Sequence, residues 1–232
     1  AVVAEKHQLL EVDESSAEKI DWLIALGGDG TLLRAAVIAR ERACPLLGIS
    51  AGHLGFLAEI MIDQLPDALD RMAQANYHLD SRRWLEAHIE GETFWALNEV
   101  SIKGKHLSMI ELDVSLGDTP LTTYKADGLL VATSTGSTAY NLSAGGPIIF
   151  PDTEALIITP ICPHTLTVRP LVLSPKETIR IVPRGQVLAS IDGREERLIK
   201  STVSLRLADR TVSFVRLHPA SFISGLRNKL GW

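Results

Sequence analysis

Trp22-Leu-Ile-Ala-Leu-Gly-Gly-Asp-Gly-Thr-Leu-Leu-Arg-Ala-Ala-Val-Ile-Ala-Arg40 decides the reading of this chain. The first five residues are bulky or apolar and read as a buried strand, and Leu32–Arg40 carries a helical pattern. Between them lie three glycines, Gly27, Gly28 and Gly30, with Asp29 among them and Thr31 at the helix start. A strand–turn–helix junction of this kind presents backbone N–H groups at a helix N-terminus, where an anion is favoured. The carboxylate is the anomaly, because it would repel a phosphate unless it holds a metal or takes a proton. Asp29 can be read as a general base toward a hydroxyl, as an anchor for Mg²⁺ on a polyphosphate, or as a helix N-cap in a tight turn.

Working outward, the first third alternates strand and helix. Strand 22–26 leads to helix 31–41, Pro45–Ile49 reads as a second strand, Ala51–Leu57 as a glycine-marked loop, and Gln64–Gln74 as an amphipathic helix. This is the rhythm of a βαβ unit with a parallel sheet. Only a short segment precedes the first strand, and such a sheet normally needs more, so further N-terminal sequence is expected.

Past residue 77 the chain turns to short strands. Candidates are Trp84–Ile89, Phe94–Ile102, Ser108–Leu116, Leu121–Lys125, Gly128–Ala132, Ala155–Pro160, Leu171–Leu173, Thr178–Val182, Val187–Ile191, Thr202–Leu207 and Thr211–Leu217. That spacing predicts a β-sandwich domain. One helix interrupts it after Ser137, with Ala139–Ala144 in its first turns, and Ser221–Leu230 reads as a closing helix. The fold class is therefore α/β plus all-β: a Rossmann-like N-terminal α/β domain, truncated at its start, and a C-terminal β-sandwich. The boundaries drawn are 1–76, joined by the C-terminal helix at 218–232, and 77–217.

Composition sets limits. The 232 residues carry 46% hydrophobic side chains, enough for a substantial core, and a formal net charge of −5 that argues against non-specific nucleic-acid binding. No apolar run has the length of a membrane span, and no signal peptide is visible. Cys44 and Cys162, far apart in apolar surroundings, predict two reduced core thiols in an intracellular protein rather than a disulfide. No Cys/His cluster has metal-site spacing. There is neither a Walker A pattern nor a G-x-G-x-x-G fingerprint after a strand.

Two further segments carry chemistry. Leu97-Asn98-Glu99-Val100 places an amide and a carboxylate inside an apolar strand, which is costly without partners. Such a pair suits the vicinal hydroxyls of a ribose, or marks a strand end with one exposed and one capped polar residue. Lys125 through Pro147 runs a buried strand into a turn rich in hydroxyls: Thr135, Ser137, Thr138, Tyr140 and Ser143. Gly136, Gly145 and Gly146 there permit close backbone approach. That combination suits a polar, uncharged ligand such as a nucleoside. His164, beside Pro163, reads as a histidine bonded to backbone or as a ligand contact.

Together these segments resemble the NAD kinase family: GGDGTLL at 27–33, GI-x-x-G-x-LGFL at 48–57, LNEV at 97–100, ADGLLVATSTGSTAYNLSAGGPI at 126–148, ITPICPHTL at 158–166, RPLVL at 169–173 and the terminal HP…KLGW. The resemblance implies transfer of a phosphoryl group from ATP, or polyphosphate, to the 2′-hydroxyl of the adenosine ribose of NAD. It also implies a divalent cation, Mg²⁺, a homo-oligomer (dimer or tetramer), and a cytoplasmic setting without nucleic-acid or membrane partners. By the same resemblance Asp29 is the proton acceptor. Gly27, Gly28, Gly30 and Thr31 form the phosphate loop. Asp29, Gly30, Asn98, Glu99, Lys125, Asp127, Thr138, Ala139, Tyr140 and Ser143 meet NAD, with Ser108, Asp192 and Arg194 as further candidates. Ser50 stands where the family usually has Asn, and the hairpin at Gly91 is shorter than usual. A lipid- or sugar-directed kinase with the same loop, or a non-catalytic dinucleotide sensor, is the alternative.

Overall fold

The computed structural model describes residues 20–52, 55–105, 109–218 and 221–231. Candidate Ser108 falls outside them. In chain order the elements are β1 (Leu23–Leu26), α1 (Asp29–Arg42), β2 (Leu46–Ser50), β3 (Ile60–Met61), α2 (Leu65–Ala73), β4 (His78–Ile89), β5 (Glu92–Ala96), β6 (Glu99–Gly104), β7 (Ile110–Leu116) and β8 (Thr119–Thr133). There follow α3 (Tyr140–Ser143), β9 (Leu156–Pro163), β10 (Leu171–Leu173), β11 (Ile179–Arg184), β12 (Val187–Ile191), β13 (Glu195–Ile199), β14 (Val203–Arg216) and α4 (Ser221–Leu230). The chain divides into two compact units, Ala1–Ser81 with Val212–Trp232, and Arg82–Thr211.

In the first unit β1, β2 and β3 pair in parallel, with Leu23 opposite Leu46 and Ile49 opposite Ile60. Leu47, Ile49 and Ile60 pack with Ala68 and Met72 of α2 and with Val215 and Leu217. On β2, Gly48 is closely packed: a Cβ there would lie 2.7 Å from Leu32 Cδ1 of α1 and 3.1 Å from the Leu57 carbonyl oxygen. All five β2 residues are buried, which explains an apolar run without alternation. Beneath this sheet Glu59, fully buried, meets Arg216 Nη1 at 3.2 Å and accepts the backbone N–H groups of Leu217 and His218 at 3.0 Å each. Arg216 Nε donates to Asp80 Oδ2 at 3.0 Å. With its polar atoms partnered, such a pair is tolerated in the interior, and removing one member costs about 3–5 kcal/mol.

The second unit is β-rich. Its ladder runs β11-β7-β8-β6-β12-β13, all antiparallel, with β9 and β10 added to β8, and β5 paired to β4. Alternate residues feed one core: Leu85, Ala87 and Ile89 of β4, Leu112 and Val114 of β7, Leu129 and Val131 of β8, Leu156 and Ile158 of β9, Leu205 and Leu207 of β14. The intervening Leu130, Ala132 and Ile157 face the other way and are covered by Tyr140, Ile149 and Ile161. Segment 129–132 is thus apolar throughout because both its faces are buried.

Several element boundaries differ from expectation. Phe94–Ile102 is two strands, because the N–H groups of Leu97 and Asn98 bond a carboxylate instead of a ladder partner. Leu121–Lys125 and Gly128–Ala132 are one strand, β8, since Ala126 keeps pairing with Ile110 and Pro163. Thr202–Leu207 and Thr211–Leu217 likewise merge in β14. Charged β13 was not expected; it pairs with β12 along its whole length, and an edge strand tolerates such residues. The helix after Ser137 is only a 3₁₀ turn, Thr135–Thr138, and the single turn of α3. Of the two thiols, Cys44 is buried, and burial pushes its pKa up, but Cys162 is exposed. No helix among the described residues is long and apolar enough to cross a membrane.

Candidate active site

Gly28 is the N-cap of α1 and Asp29 its first residue, so the N-cap reading of Asp29 does not hold. The Gly28 carbonyl accepts from Thr31 N at 2.9 Å and Leu32 N at 3.1 Å. Gly27 leaves room for Thr31, whose Oγ1 would lie 2.6 Å from a Cβ at that position, whereas a Cβ on Gly28 or Gly30 would meet nothing within 4 Å. The helix start therefore has open space over its glycines, as phosphate approach requires.

The Asp29 carboxylate is not held by its own loop. Its Oδ2 accepts Phe56 N and its Oδ1 accepts Leu57 N, both at 3.2 Å, and Lys229 Nζ of α4 lies 3.4 Å from Oδ2. A Cβ on Gly55 would fall 1.9 Å from Oδ1, so any side chain there would displace the carboxylate. Two consecutive N–H groups and a missing side chain fix the carboxylate while leaving it about one-third exposed. The loop 51–57 was recognisable by its glycines; its role as the seat of Asp29 was not.

In the second unit, Asp192 organises the break between β5 and β6. Its buried carboxylate accepts Asn98 N at 2.8 Å and Glu99 N at 3.1 Å on Oδ1, and Leu97 N at 2.9 Å on Oδ2. Asp192 has φ +48, a left-handed conformation, with Gly193 following at φ +66. Burial raises the Asp192 pKa, opposed by the three N–H groups and by Arg194, whose Nη2 lies 3.5 Å away. Of the further candidates, Asp192 thus holds the backbone that carries Asn98 and Glu99, and Arg194 meets the Asp192 carboxylate.

Glu99, beside Asp192, is also strongly perturbed. Burial, with the Asp192 charge added, pushes its carboxyl up to about 8, although the Tyr140 backbone N–H bond acts the other way. Its Oε2 is buried without a hydrogen-bond partner. At neutral pH the group is protonated, so it can donate one hydrogen bond and accept others.

The hydroxyl-rich turn sits directly on this break. A Cβ on Gly136 would lie 2.1 Å from the Asn98 carbonyl oxygen. Thr133 Oγ1 donates to Leu97 O at 2.6 Å, and Thr133 N donates to Asn98 O at 2.9 Å. Fully buried Asn141 donates to Ser137 O and Pro147 O at 3.0 Å each and accepts from Thr159 Oγ1 at 2.6 Å. Two of the expected hydroxyls are spent internally: Ser137 on Ile149, Thr135 on Arg82. Thr138, Ala139 and Tyr140 remain half-buried and Ser143 exposed, with Lys103 Nζ 4.5 Å from the Tyr140 ring centre.

Lys125 and Asp127 stand elsewhere. Glu99 faces Ala132 on β8, and at a rise of ~3.3 Å per residue Asp127 is roughly 17 Å further along that strand. Both are exposed; Lys125 pairs with Glu111 at 3.0 Å, and Asp127 Oδ1 lies 3.4 Å from His164 Nε2. The His164 ring is thus half-exposed against a carboxylate rather than bonded to backbone.

Among the described residues no three His, Cys, Asp or Glu side chains cluster as a metal cage. One carboxylate beside a glycine-rich helix start suits a Mg²⁺ that keeps waters and arrives on a polyphosphate.

Residues 3–77 match the family model of the ATP-NAD kinase N-terminal domain, and residues 97–217 that of the ATP-NAD kinase C-terminal domain. An NAD kinase of Chlorobium phaeobacteroides is 40% identical over 96% of this chain and 83% of its own. One from Syntrophotalea carbinolica is 42% identical over 92% of this chain and 79% of its own. The crystal structure of yeast NADH kinase complexed with NADH superposes with TM-score 0.86 at 30% identity, covering 92% of this chain and 66% of that one. An Archaeoglobus fulgidus NAD kinase in complex with ATP has the same fold, with TM-score 0.83 at 24% identity over 99% of this chain and 91% of that one.

Proposed function

The chain belongs to the NAD kinase family, and from that premise we propose how its own residues divide the work. The enzyme transfers the γ-phosphoryl group of ATP to the 2′-hydroxyl of the adenosine ribose of NAD, giving NADP. In such a transfer the protein places one hydroxyl in line with the phosphorus and neutralises charge on the phosphate oxygens.

Gly27, Gly28, Gly30 and Thr31 receive the polyphosphate at the start of α1. Asp29, anchored through the Phe56 and Leu57 N–H groups, orients the acceptor hydroxyl and takes its proton. Asn98 and Glu99 hold the ribose, and Thr138, Ala139, Tyr140 and Ser143 line the nucleoside. Asp192 and Arg194 support the Asn98-Glu99 backbone. Lys125 and Asp127, far along β8, serve the part of the dinucleotide remote from the reacting ribose. A divalent cation such as Mg²⁺, bound with ATP, would shield phosphate charge there, and Asp29 is the carboxylate that would face it. A homo-oligomer, dimer or tetramer, and a cytoplasmic setting complete the reading, and light scattering tests the former.

The observation that carries this reading is the orphaned Glu99 Oε2. A buried polar atom without a partner costs about 1–3 kcal/mol, and a ribose diol supplies the missing donor. A lipid- or sugar-directed kinase gives no reason for this seat beside a nucleoside wall, and a non-catalytic dinucleotide sensor gives none for Asp29. The test is an assay of NADP formed from ATP, Mg²⁺ and NAD by the parent and by Asp29→Asn. The substitution is expected to lower kcat about a hundredfold or more, as for loss of a general base. Near-normal turnover would remove Asp29 from that role.

A further inference from the structure

The carboxylate of Asp29 lies where negatively charged phosphate must approach, and the structure supplies a cation against it. Lys229 Nζ stands 3.4 Å from Asp29 Oδ2 and 4.7 Å from the centre of the Phe56 ring. Phe56 thus touches Asp29 twice: its N–H donates to Oδ2, and its ring carries the ammonium that meets the same oxygen.

The placement is built by α4. Phe222, Gly225 and Lys229 are spaced three and four residues apart, so they share one helix face. The Phe222 ring is 6.0 Å from the Phe56 ring. A Cβ on Gly225 would come within 3.3 Å of Phe56 Cδ1, so the small residue lets the helix lie close. Lys229 sits in the last turn of α4, where the helix dipole favours a cation. Its ammonium is thereby brought to Asp29 across 200 residues of sequence.

We propose that Lys229 is a positioning residue for phosphoryl transfer. Delivered by α4 through Phe56, it holds Asp29 Oδ2 in place and offsets the carboxylate charge as phosphate arrives. This rests on the assignment of Asp29 above. The N–H groups of Phe56 and Leu57 set two sides of the carboxylate, and Lys229 sets the third. The expected signature is a fall in kcat with little change in NAD affinity, because most of the proposed ribose and nucleoside contacts lie on residues other than Asp29.

The experiment compares Lys229→Met and Lys229→Arg in the full chain, each also combined with Asp29→Asn. Enzyme concentrations are set to report rates down to about a thousandfold below the parent. Lys229→Met is expected to lower kcat about tenfold, the order of one charge-assisted contact, with KM for NAD within about twofold. Lys229→Arg recovers at least half of the loss, and the unfolding midpoint of both stays near that of the parent. In the Asp29→Asn background, Lys229→Met adds less than about twofold, because its partner is already neutral. An unchanged kcat in Lys229→Met would overturn the proposal. So would a full tenfold further loss on top of Asp29→Asn, or equal losses in Met and Arg variants with a lowered unfolding midpoint. If Asp29→Asn alone turns over normally, the assignment of Asp29 fails instead, and Lys229 with it.

Discussion

Glu99→Gln gives the sharpest physical test of the buried Glu99 carboxyl, because it removes a titration while keeping the shape. In the folded protein the carboxyl is pushed from the ordinary 4.5 up to about 8 by burial and by the neighbouring Asp192. A raised acid stabilises the fold in its protonated form. That contribution is complete below the unfolded value and is lost as pH rises through the folded one. From about pH 6 to about pH 9 the unfolded chain holds Glu99 ionised throughout, while the fold keeps its proton over roughly the first two pH units. At about 1.4 kcal/mol per proton per pH unit, this amounts to a loss of about 3 kcal/mol across the window. Gln does not titrate, so the difference in unfolding free energy between the two proteins should move by that amount in favour of Glu99→Gln. The Asp192 contribution is present in both and cancels to first order. Urea unfolding followed by tryptophan fluorescence measures it, with buried Trp84 as the reporter of the second unit. Equal pH slopes for parent and variant would refute the argument that Glu99 is a protonated, desolvated group.

Gly55→Ala introduces a Cβ at 1.9 Å from Asp29 Oδ1, so it should lower kcat about tenfold or more with little change in NAD affinity, read from steady-state kinetics. Asp192→Ala strands the N–H groups of Leu97, Asn98 and Glu99; it should cost about 3 kcal/mol or more of stability and raise KM for NAD, by denaturation and kinetics. Asn141→Ala removes the bonds to Ser137 O, Pro147 O and Thr159, and should cost about 2–4 kcal/mol while weakening NAD binding measured by calorimetry.

Much of the fold was legible because its periodicities are local. The strand–glycine–helix junction at 23–42 and the closing helix at 221–230 needed only pattern and punctuation. The apolar run 129–132 was recognisable as buried, but why both faces are covered depends on the 3₁₀ turn, α3 and Ile149, which only the folded chain assembles. Strand ends went astray where side chains replace ladder bonds: the break at Leu97-Asn98 exists because Asp192, more than ninety residues away, takes those N–H groups.

The site divides along the same line. Residue types and order within each motif carried the proposed chemistry: glycines for phosphate, a carboxylate for the hydroxyl, an Asn-Glu pair and a hydroxyl-rich turn for a nucleoside. Tertiary structure alone decided what state those groups are in. Asp29 is seated by Phe56, Leu57 and the absent side chain of Gly55, and meets a lysine from the far end of the chain. Glu99 becomes a neutral acid because burial and Asp192 act on it together. A sequence specifies which groups are available, whereas solvation, charge and hydrogen bonding depend on what long-range packing places within a few ångströms of them.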